Sequence, residues 1–389
     1  MNFIIFFSIV ILFLTLVHFY IISKGLQVIP ADSSFRVLFI FGVIFLASSF
    51  LIVRIIERFY SSILTDILIW IGAFWLGIMV FILLQLLLID AFRLFFYLAG
   101  VKKYPSVFGM ELKIALAILI MIVSLSAGII GLYFNRSTVI KKLELEINKN
   151  AGDLLHLNIA VASDIHLGTL INNSFLEKLV NKINKLNADI ILLPGDIIDE
   201  DLTPVIKKNL GENLKNLKSK YGVYAVTGNH EYIGGVITAK EYLVDHGINI
   251  LEDSAVLIDN SFYVAGREDY SISSFTNGKR KPLSEILDSA DFSLPVILLD
   301  HQPFHLEDAM NHGIDLQLSG HTHHGQIWPF NYITEKIYEL SWGYKQKGNT
   351  HYYVSCGAGG WGPPIRLGSR SEIVQIKLSF NGIKGVQHE

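Results

Sequence analysis

Cysteine is almost absent from the sequence, since Cys356 is the single example in 389 residues. No internal disulfide can form, and a structural zinc site built from thiolates is excluded. Charged residues are also scarce: they make up 17% of the chain, against roughly a quarter in soluble proteins. A protein that is soluble along its whole length is therefore not expected.

Basic residues form no block or stripe along the chain, and the formal net charge is −3. A protein held on nucleic acid by neutralising phosphates needs a concentration of lysine and arginine. No nucleic-acid partner is therefore expected. Nothing in the sequence identifies a protein partner.

The charges that are present are unevenly distributed. Residues 1–135 hold 13 of the 67 charged residues, which is about 10% of that segment against about 21% of the remainder. Such a difference indicates that the first segment lies in a lipid bilayer and the remainder in water. We expect a transmembrane region over residues 1–136 and a polar domain over residues 137–389.

Four apolar runs bounded by charges lie in the first region. Each approaches the roughly 17–25 residues that cross a bilayer as a helix. The predicted helices cover about residues 3–23, 37–53, 67–89 and 114–135. The first run lacks a basic start and exceeds a signal peptide's core, so we expect it to be retained. We therefore expect a multi-pass protein of the cell membrane. Lysine and arginine number about five on one side of the membrane and about six on the other, so the charge count does not decide on which side the polar domain lies.

Apolar strand-like runs alternate with helical segments in the polar region. This alternation is typical of α/β domains, and about 250 residues suffice for one. The predicted buried strands are 157–163, 190–193, 223–226, 296–299 and 314–318, and the predicted helices include 174–186, 205–217 and 238–246.

Each of the five strand candidates ends in residue types that bind metals. Side chains beyond the carboxyl ends of strands in an α/β sheet collect in one crevice. We therefore expect these five segments to form a single site, and expect the glycines before Asp196, Asn229 and His321 to permit sharp turns there. The candidate ligands are Asp164, His166, Asp196, Asn229, His301, His321 and His323.

The residue types restrict the ion. Two carboxylates, one amide and four imidazoles are too rich in nitrogen for calcium and favour manganese, iron or zinc, with manganese preferred. Seven ligands exceed what one tetrahedral ion accepts, which predicts two metal ions sharing a carboxylate. Two such ions generate a hydroxide near neutral pH and neutralise a phosphoryl group.

The ordered blocks Asp164-x-His166, Gly195-Asp196-x-x-Asp199, Gly228-Asn229-His230-Glu231, His301-x-Pro303 and Gly320-His321-x-His323 resemble those of the calcineurin-like metallophosphoesterases. The match spans about residues 158–326, and the C-terminal part is similar to the membrane-linked bacterial branch of that family. The resemblance implies a fold of two β-sheets packed as a sandwich and flanked by helices.

The same resemblance implies roles for individual residues. One metal would be held by Asp164, His166, Asp196 and His323, and the second by Asp196, Asn229, His301 and His321. Asp196 would bridge the two ions. His230 matches a histidine that contacts the phosphate and protonates the leaving oxygen. Asp199 and Glu231 would either orient ligands or serve as structural ion pairs or helix caps.

Three further features have open interpretations. Arg366 is either a phosphate-contacting cation or the partner of Glu372 in a surface ion pair. His324 stands where this branch commonly has glycine, and we expect it to be exposed and without a role. The glycine-rich segment 357–362 is followed by two prolines rather than a helix, which favours a loop beside the metal site over a dinucleotide site.

These features together predict a membrane-anchored, dinuclear metal-dependent phosphoesterase whose substrate contains a phosphodiester or pyrophosphate bond. Four helices form a large anchor for an enzyme of soluble substrates, so we expect a lipid-linked substrate. Two alternatives stay open: a non-catalytic membrane sensor or scaffold, and a transporter with a regulatory phosphoesterase-like domain.

Overall fold

The computed structural model describes residues 3–101 and 109–381. Its contacts divide the chain into two compact units. The first comprises the residues up to Leu132 together with Gly362–Ile365, and the second comprises Tyr133–Trp361 and the residues from Arg366 onward. Lys102 and Lys103, which enter the charge count across the membrane, lie outside the described residues.

The first unit contains four long helices, as predicted. They are α1 (Phe3–Gly25), α2 (Phe35–Phe59), α3 (Ile63–Leu98) and α4 (Met110–Arg136). Each is long and apolar enough to cross a membrane. α2 and α3 extend beyond the apolar runs because charges near their ends do not interrupt a helix. In α2, for example, Arg54 Nη1 lies 3.5 Å from Glu57 Oε2.

The second unit is built on two six-stranded sheets. The first sheet has the order β1 (Val139–Ile147), β12 (Glu372–Phe380), β2 (His156–Val161), β3 (Ile190–Pro194), β4 (Val223–Val226) and β5 (Asn249–Ile250). The second has the order β10 (Gly343–Lys347), β11 (Thr350–Val354), β9 (Leu316–Ser319), β8 (Val296–Leu299), β7 (Phe262–Gly266) and β6 (Ser254–Ile258).

Short helices connect the strands. They are α5 (Asn173–Asn184), α6 (Leu202–Lys207), α7 (Asn229–Gly234), α8 (Val236–Asp245), α9 (Ile272–Phe275), α10 (Leu283–Ile286), α11 (Leu306–Asn311) and α12 (Asn331–Ile337), with 3-10 turns at Glu212–Asn216 and His323–Gly325. α5 begins where the Asn172 side chain accepts a hydrogen bond from the Phe175 amide, and it buries Phe175, Leu179 and Ile183.

The predicted continuous helix over 205–217 is wrong. α6 ends at Lys207, and Asn209 adopts a left-handed φ of 45°. The Gly211 amide then donates to the Tyr242 hydroxyl at 2.9 Å instead of to a helical carbonyl. A 3-10 turn follows in place of the predicted helix.

One hydrophobic core lies between the two sheets. Ile159 and Leu192 of the first sheet and Val264, Leu299 and Leu318 of the second belong to one cluster of fully buried side chains. Two further clusters join the outer sheet faces to helices. Parallel strands covered on both faces read as continuous apolar runs, which is why these strands were recognisable in the sequence. The predicted two-sheet α/β sandwich flanked by helices is confirmed.

Candidate metal centre

The centre lies where five strands end. β2, β3 and β4 are parallel neighbours in one sheet, and β8 and β9 are parallel neighbours in the other. The carboxyl ends of parallel strands meet at one edge of a sheet, so the segments that follow them converge. The structure brings together all seven predicted ligands in two adjoining groups.

The first group consists of Asp164, His166 and His323, whose possible ligand atoms all lie within 4.8 Å of one another. His166 Nε2 is 2.9 Å from His323 Nε2. Asp164 Oδ1 is 3.6 Å from His323 Nε2. All three residues are buried.

The second group consists of Asp196, His301 and His321, again with ligand atoms within 4.8 Å. Asn229 belongs with them, because its Oδ1 lies 2.7 Å from His321 Nδ1 and 3.2 Å from His301 Nε2. Its amide oxygen therefore faces the same point as the two imidazoles.

Asp196 occupies the position between the two groups. Its Oδ2 lies 3.1 Å from His301 Nε2 and 3.9 Å from His166 Nε2. Burial alone would raise the pKa of Asp196, but the charges of His301 and His230 hold it well below its usual range. The Asp196 carboxylate is thus an anion within reach of both groups.

The protonation states of the imidazoles mostly suit metal binding. Burial lowers the pKa of His166 to about 3 and that of His321 to about 4, so both rings present neutral nitrogen atoms. Burial alone would lower the pKa of His301, but the Asp196 carboxylate raises it well above its usual range. A metal at His301 would therefore have to displace a proton.

Two buried atoms in the first group have no hydrogen-bond partner among the described residues: Asp164 Oδ2 and His166 Nδ1. Buried polar atoms without partners are uncommon in folded proteins. Buried carboxylates, an amide oxygen and neutral imidazoles converging in two groups fit a pair of divalent transition-metal ions better than calcium or magnesium.

His230 lies beside the first group. Its ring centroid is 4.5 Å from that of His166, and its Nδ1 is 3.3 Å from Asp199 Oδ1. Burial alone would lower the pKa of His230, but the carboxylates of Asp196 and Asp199 raise it to about 9. Asp199 at Nδ1 stabilises a protonated His230, and in that form the ring can act as a proton donor. His166, Asp199 and His230 form a third group, whose possible ligand atoms all lie within 4.8 Å of one another.

The ligand loops have unusual backbone conformations. Asp164, His166, Asp196, His321 and His323 all have φ between 47° and 71°, the left-handed region that side chains other than glycine rarely adopt. Such conformations persist only where the surrounding structure holds them, and they concentrate at functional sites.

Glu231 is one of the groups that hold these loops. Its carboxylate accepts hydrogen bonds from the amides of Gly228, Ile198 and Asp196 at 2.7, 2.8 and 3.2 Å. Of the roles considered for Glu231, the structure supports one in which it caps a helix start and fixes the turn that carries Asp196. Burial and the neighbouring Asp196 carboxylate raise the pKa of Glu231 to about 7, so these hydrogen bonds are charge-assisted only while Glu231 is ionised.

The glycines before the ligands serve mainly to provide space. Gly195 has a left-handed φ of 88°, as expected for a sharp turn. Gly228 and Gly320, in contrast, do not have a positive φ. A Cβ on Gly228 would lie 2.2 Å from Asp196 Oδ1, and one on Gly320 would lie 2.1 Å from Asp164 Oδ2. Any larger residue would displace the candidate ligands.

Both interpretations of Arg366 are wrong. Its side chain is fully buried, and Nη2 lies 3.0 Å from His323 Nδ1 while also donating to the Gly359 carbonyl. The guanidinium also donates to Ser369 Oγ at 3.1 Å. Burial, followed by the charges of His166 and Arg366, holds the pKa of His323 well below its usual range.

The expectation that His324 is exposed is also wrong. Its side chain is 12% exposed, and its Nδ1 lies 3.0 Å from Ser341 Oγ. The glycine-rich segment, by contrast, is a loop beside the site as predicted: the Gly359 amide donates to the Asp164 carbonyl at 3.0 Å.

Two supporting groups were missed by sequence reasoning. The Pro194 carbonyl accepts a hydrogen bond from His301 Nδ1 at 2.8 Å, which leaves Nε2 directed at Asp196. A backbone carbonyl carries no sequence signal. Glu200 Oε2 lies 3.6 Å from His230 Nδ1, and its position directly after Asp199 could have indicated it.

A family model described as calcineurin-like phosphoesterase matches residues 157–325. The chain is 31% identical to an uncharacterized metallophosphoesterase of Campylobacter jejuni, covering 97% of this chain and 99% of that one. It is 36% identical to an uncharacterized metallophosphoesterase of Helicobacter pylori over 57% of this chain, spanning 60% of that relative's length. A Danio rerio transmembrane protein with metallophosphoesterase domain is 31% identical over 61% of this chain and 56% of its own.

Proposed function

The chain belongs to the calcineurin-like metallophosphoesterase family, and we propose that it is a membrane-anchored phosphoesterase that hydrolyses a phosphodiester or pyrophosphate bond with two divalent metal ions. One observation carries this proposal: seven ligands from five separate segments converge in two groups, with Asp196 Oδ2 within 3.9 Å of imidazole nitrogens from both. A purely structural role would not require such convergence of buried charges.

The ligand sets follow the two groups. We assign Asp164, His166, Asp196 and His323 to one ion. Asp196, Asn229, His301 and His321 hold the other, with manganese favoured over iron and zinc. Paired divalent ions lower the pKa of water and neutralise the oxygens of a phosphoryl group during in-line attack. The chain itself fixes the ligand positions through Glu231, Pro194 and Arg366.

His230 is assigned the role of general acid. Asp199 and Glu200 lie at its Nδ1, and their charges help to keep the ring protonated. The Trp361 ring packs edge-on against it at 5.8 Å, which restricts its orientation. Protonation of the leaving oxygen by a positioned histidine contributes about 10²–10⁴-fold to rate.

The membrane helices motivate the substrate class. We propose that the four helices of the first unit cross the cell membrane, that residues 137–389 form the catalytic domain, and that the substrate is lipid-linked. The Danio rerio relative is named a transmembrane protein, which supports membrane insertion. The test uses the full chain in vesicles, comparing a phosphodiester on a lipid with the same headgroup ester in solution. Equal turnover of both would contradict the lipid-linked class while leaving phosphoesterase activity intact.

The reaction is tested with two soluble diesters at saturating Mn²⁺, one with a nitrophenol leaving group and one with an alkyl alcohol. We expect Asp196→Asn to abolish turnover of both. His230→Ala should lower the turnover of the alkyl ester about 10²-fold or more, and that of the nitrophenyl ester far less, because a poor leaving group needs protonation. His156→Ala, at the exposed start of β2, is the matched control. Equal activity of wild type and both site variants would overturn the assignment, and an inactive wild type would favour the non-catalytic sensor.

A further inference from the structure

The first unit contains a cavity of about 490 Å³ bounded by all four helices. Most of its wall is hydrocarbon, including Ile21 of α1, Leu38 of α2, Leu86 of α3 and Leu116 of α4. Its size lies within the range of roughly 300–1,000 Å³ that is usual for ligand pockets. Apolar walls of this kind exclude water and accept hydrocarbon.

Charged side chains also contribute to this wall. Lys24, Asp90, Arg93 and Lys113 all line the cavity. Lys24 Nζ lies 2.6 Å from Asp90 Oδ2, and Arg93 Nη1 lies 3.4 Å from Asp90 Oδ1. Three cations and one carboxylate thus belong to the lining of this cavity, so the charge of its lining residues is positive on balance.

The charges lie at matching ends of the helices. Lys24 is at the end of α1 and Lys113 near the start of α4, whereas Asp90 and Arg93 are in the last third of α3. In a bilayer, these helix ends lie on the same side, at the level of lipid headgroups. The apolar part of the wall then faces the acyl-chain region.

Gly42 of α2 lines the cavity and, because it has no side chain, leaves space there. A Cβ added at Gly42 would meet nothing within 4 Å, although the residue lines the cavity. The first atom of a side chain at this position would therefore meet open space. Gly42 is therefore the position at which the cavity can be filled selectively.

We propose that this cavity binds one anionic glycerophospholipid, with an acyl chain between the helices and its phosphate beside Lys24, Arg93 and Lys113. The match is one of charge as well as polarity, because a lining with three cations and one carboxylate favours an anionic headgroup over a zwitterionic one. The proposal rests on the membrane placement of the four helices and is independent of the reaction at the metal centre.

The test is native mass spectrometry of the full chain purified in detergent with equal amounts of phosphatidylglycerol and phosphatidylcholine. Wild type should retain one phosphatidylglycerol. Gly42→Phe should reduce the retained fraction at least tenfold, whereas Ile44→Phe, which adds bulk to an exposed position on the same helix, should not. Retention of both lipids equally by wild type, or unchanged retention by Gly42→Phe, would overturn the proposal.

A charge variant provides a second measurement that does not depend on the bulky substitution. Lys113→Gln should lower the preference for phosphatidylglycerol about five-fold, the effect of one cation near an anionic headgroup. Arg58→Gln, which removes a charge from an exposed position outside the cavity, should leave the preference unchanged. An unchanged preference in Lys113→Gln would contradict the assigned headgroup position, including where Gly42→Phe fails to fold.

Discussion

Arg366 is a fully buried cation whose guanidinium lies against His323, a candidate ligand of the first metal. A buried charge is costly unless hydrogen bonds satisfy it, and the Gly359 carbonyl and Ser369 Oγ serve that purpose here. The planar fork of arginine reaches these groups at once, which a lysine ammonium cannot do. Ser369 Oγ in turn donates to the His323 carbonyl at 3.3 Å, so Arg366 can position the backbone that carries this ligand.

Substitution of Arg366 by lysine tests this role. We expect Arg366→Lys to weaken Mn²⁺ binding about 10–100-fold, the usual effect of losing a group that orients a ligand. Equilibrium dialysis measures the affinity. Arg370→Lys is the control, because Arg370 instead donates to Ser137. Equal affinities in the two variants would show that Arg366 does not position His323.

The seven candidate ligands could be found from the sequence because each follows an apolar strand in a recognisable block. Arg366 could not be interpreted in the same way, since 43 residues separate it from His323 and only the folded chain brings them together. The buried position of His324 was missed for a similar reason, because it depends on contacts with Ser341 and Trp342.

At the level of elements, the glycine-rich loop after β11 packs directly on the segment that carries Asp164 and His166. A Cβ on Gly359 would lie 1.9 Å from the Ile165 carbonyl oxygen. Because that neighbour is backbone, it cannot turn aside as a flexible side chain would. The loop and the ligand segment must therefore fit closely for the first group to form.

Gly359→Ala is expected to lower the free energy of unfolding by about 1–3 kcal/mol through overpacking and to weaken metal binding at the same time. Thermal unfolding and Mn²⁺ affinity of the full chain measure the two effects. Gly222→Ala serves as the control. Its Cβ would make only ordinary van der Waals contacts, the nearest at 3.5 Å, although the φ of 90° at this position strains the backbone of any residue other than glycine. A stability loss without weakened metal binding would refute the proposed coupling.

The strands that deliver the ligands were predicted to within a few residues because burial on both faces makes them continuous apolar runs. The helix over 205–217 was not, because a hydrogen bond from the Gly211 amide to Tyr242, 31 residues away, outcompetes local helical pairing. Tertiary contacts of this kind override local propensity.

For the whole molecule, the uneven distribution of charge predicts two regions. The sequence places the boundary at residue 136, whereas the contacts of the structure divide the chain between Leu132 and Tyr133 and assign Gly362–Ile365 to the first unit. Composition cannot show that residues 362–365 belong to the first unit, because a segment of four residues is too short to have a distinctive composition.

Membrane insertion gives a further prediction. Four apolar helices should keep the chain in the membrane pellet after extraction with alkaline carbonate, which removes proteins held by surface charge. Detergent should release it. Release by carbonate alone would contradict insertion of the helices and, with it, the lipid-linked substrate class.

The central claim, a dinuclear centre bridged by Asp196, is tested most directly by the manganese content of the purified full chain after equilibration and removal of free metal. Elemental mass spectrometry should find about two ions per wild-type chain and far fewer in Asp196→Asn, because both ligand sets use this carboxylate. The exposed Asp259→Asn control should match wild type. Wild-type manganese content in Asp196→Asn, or a wild-type chain without bound metal, would contradict the account.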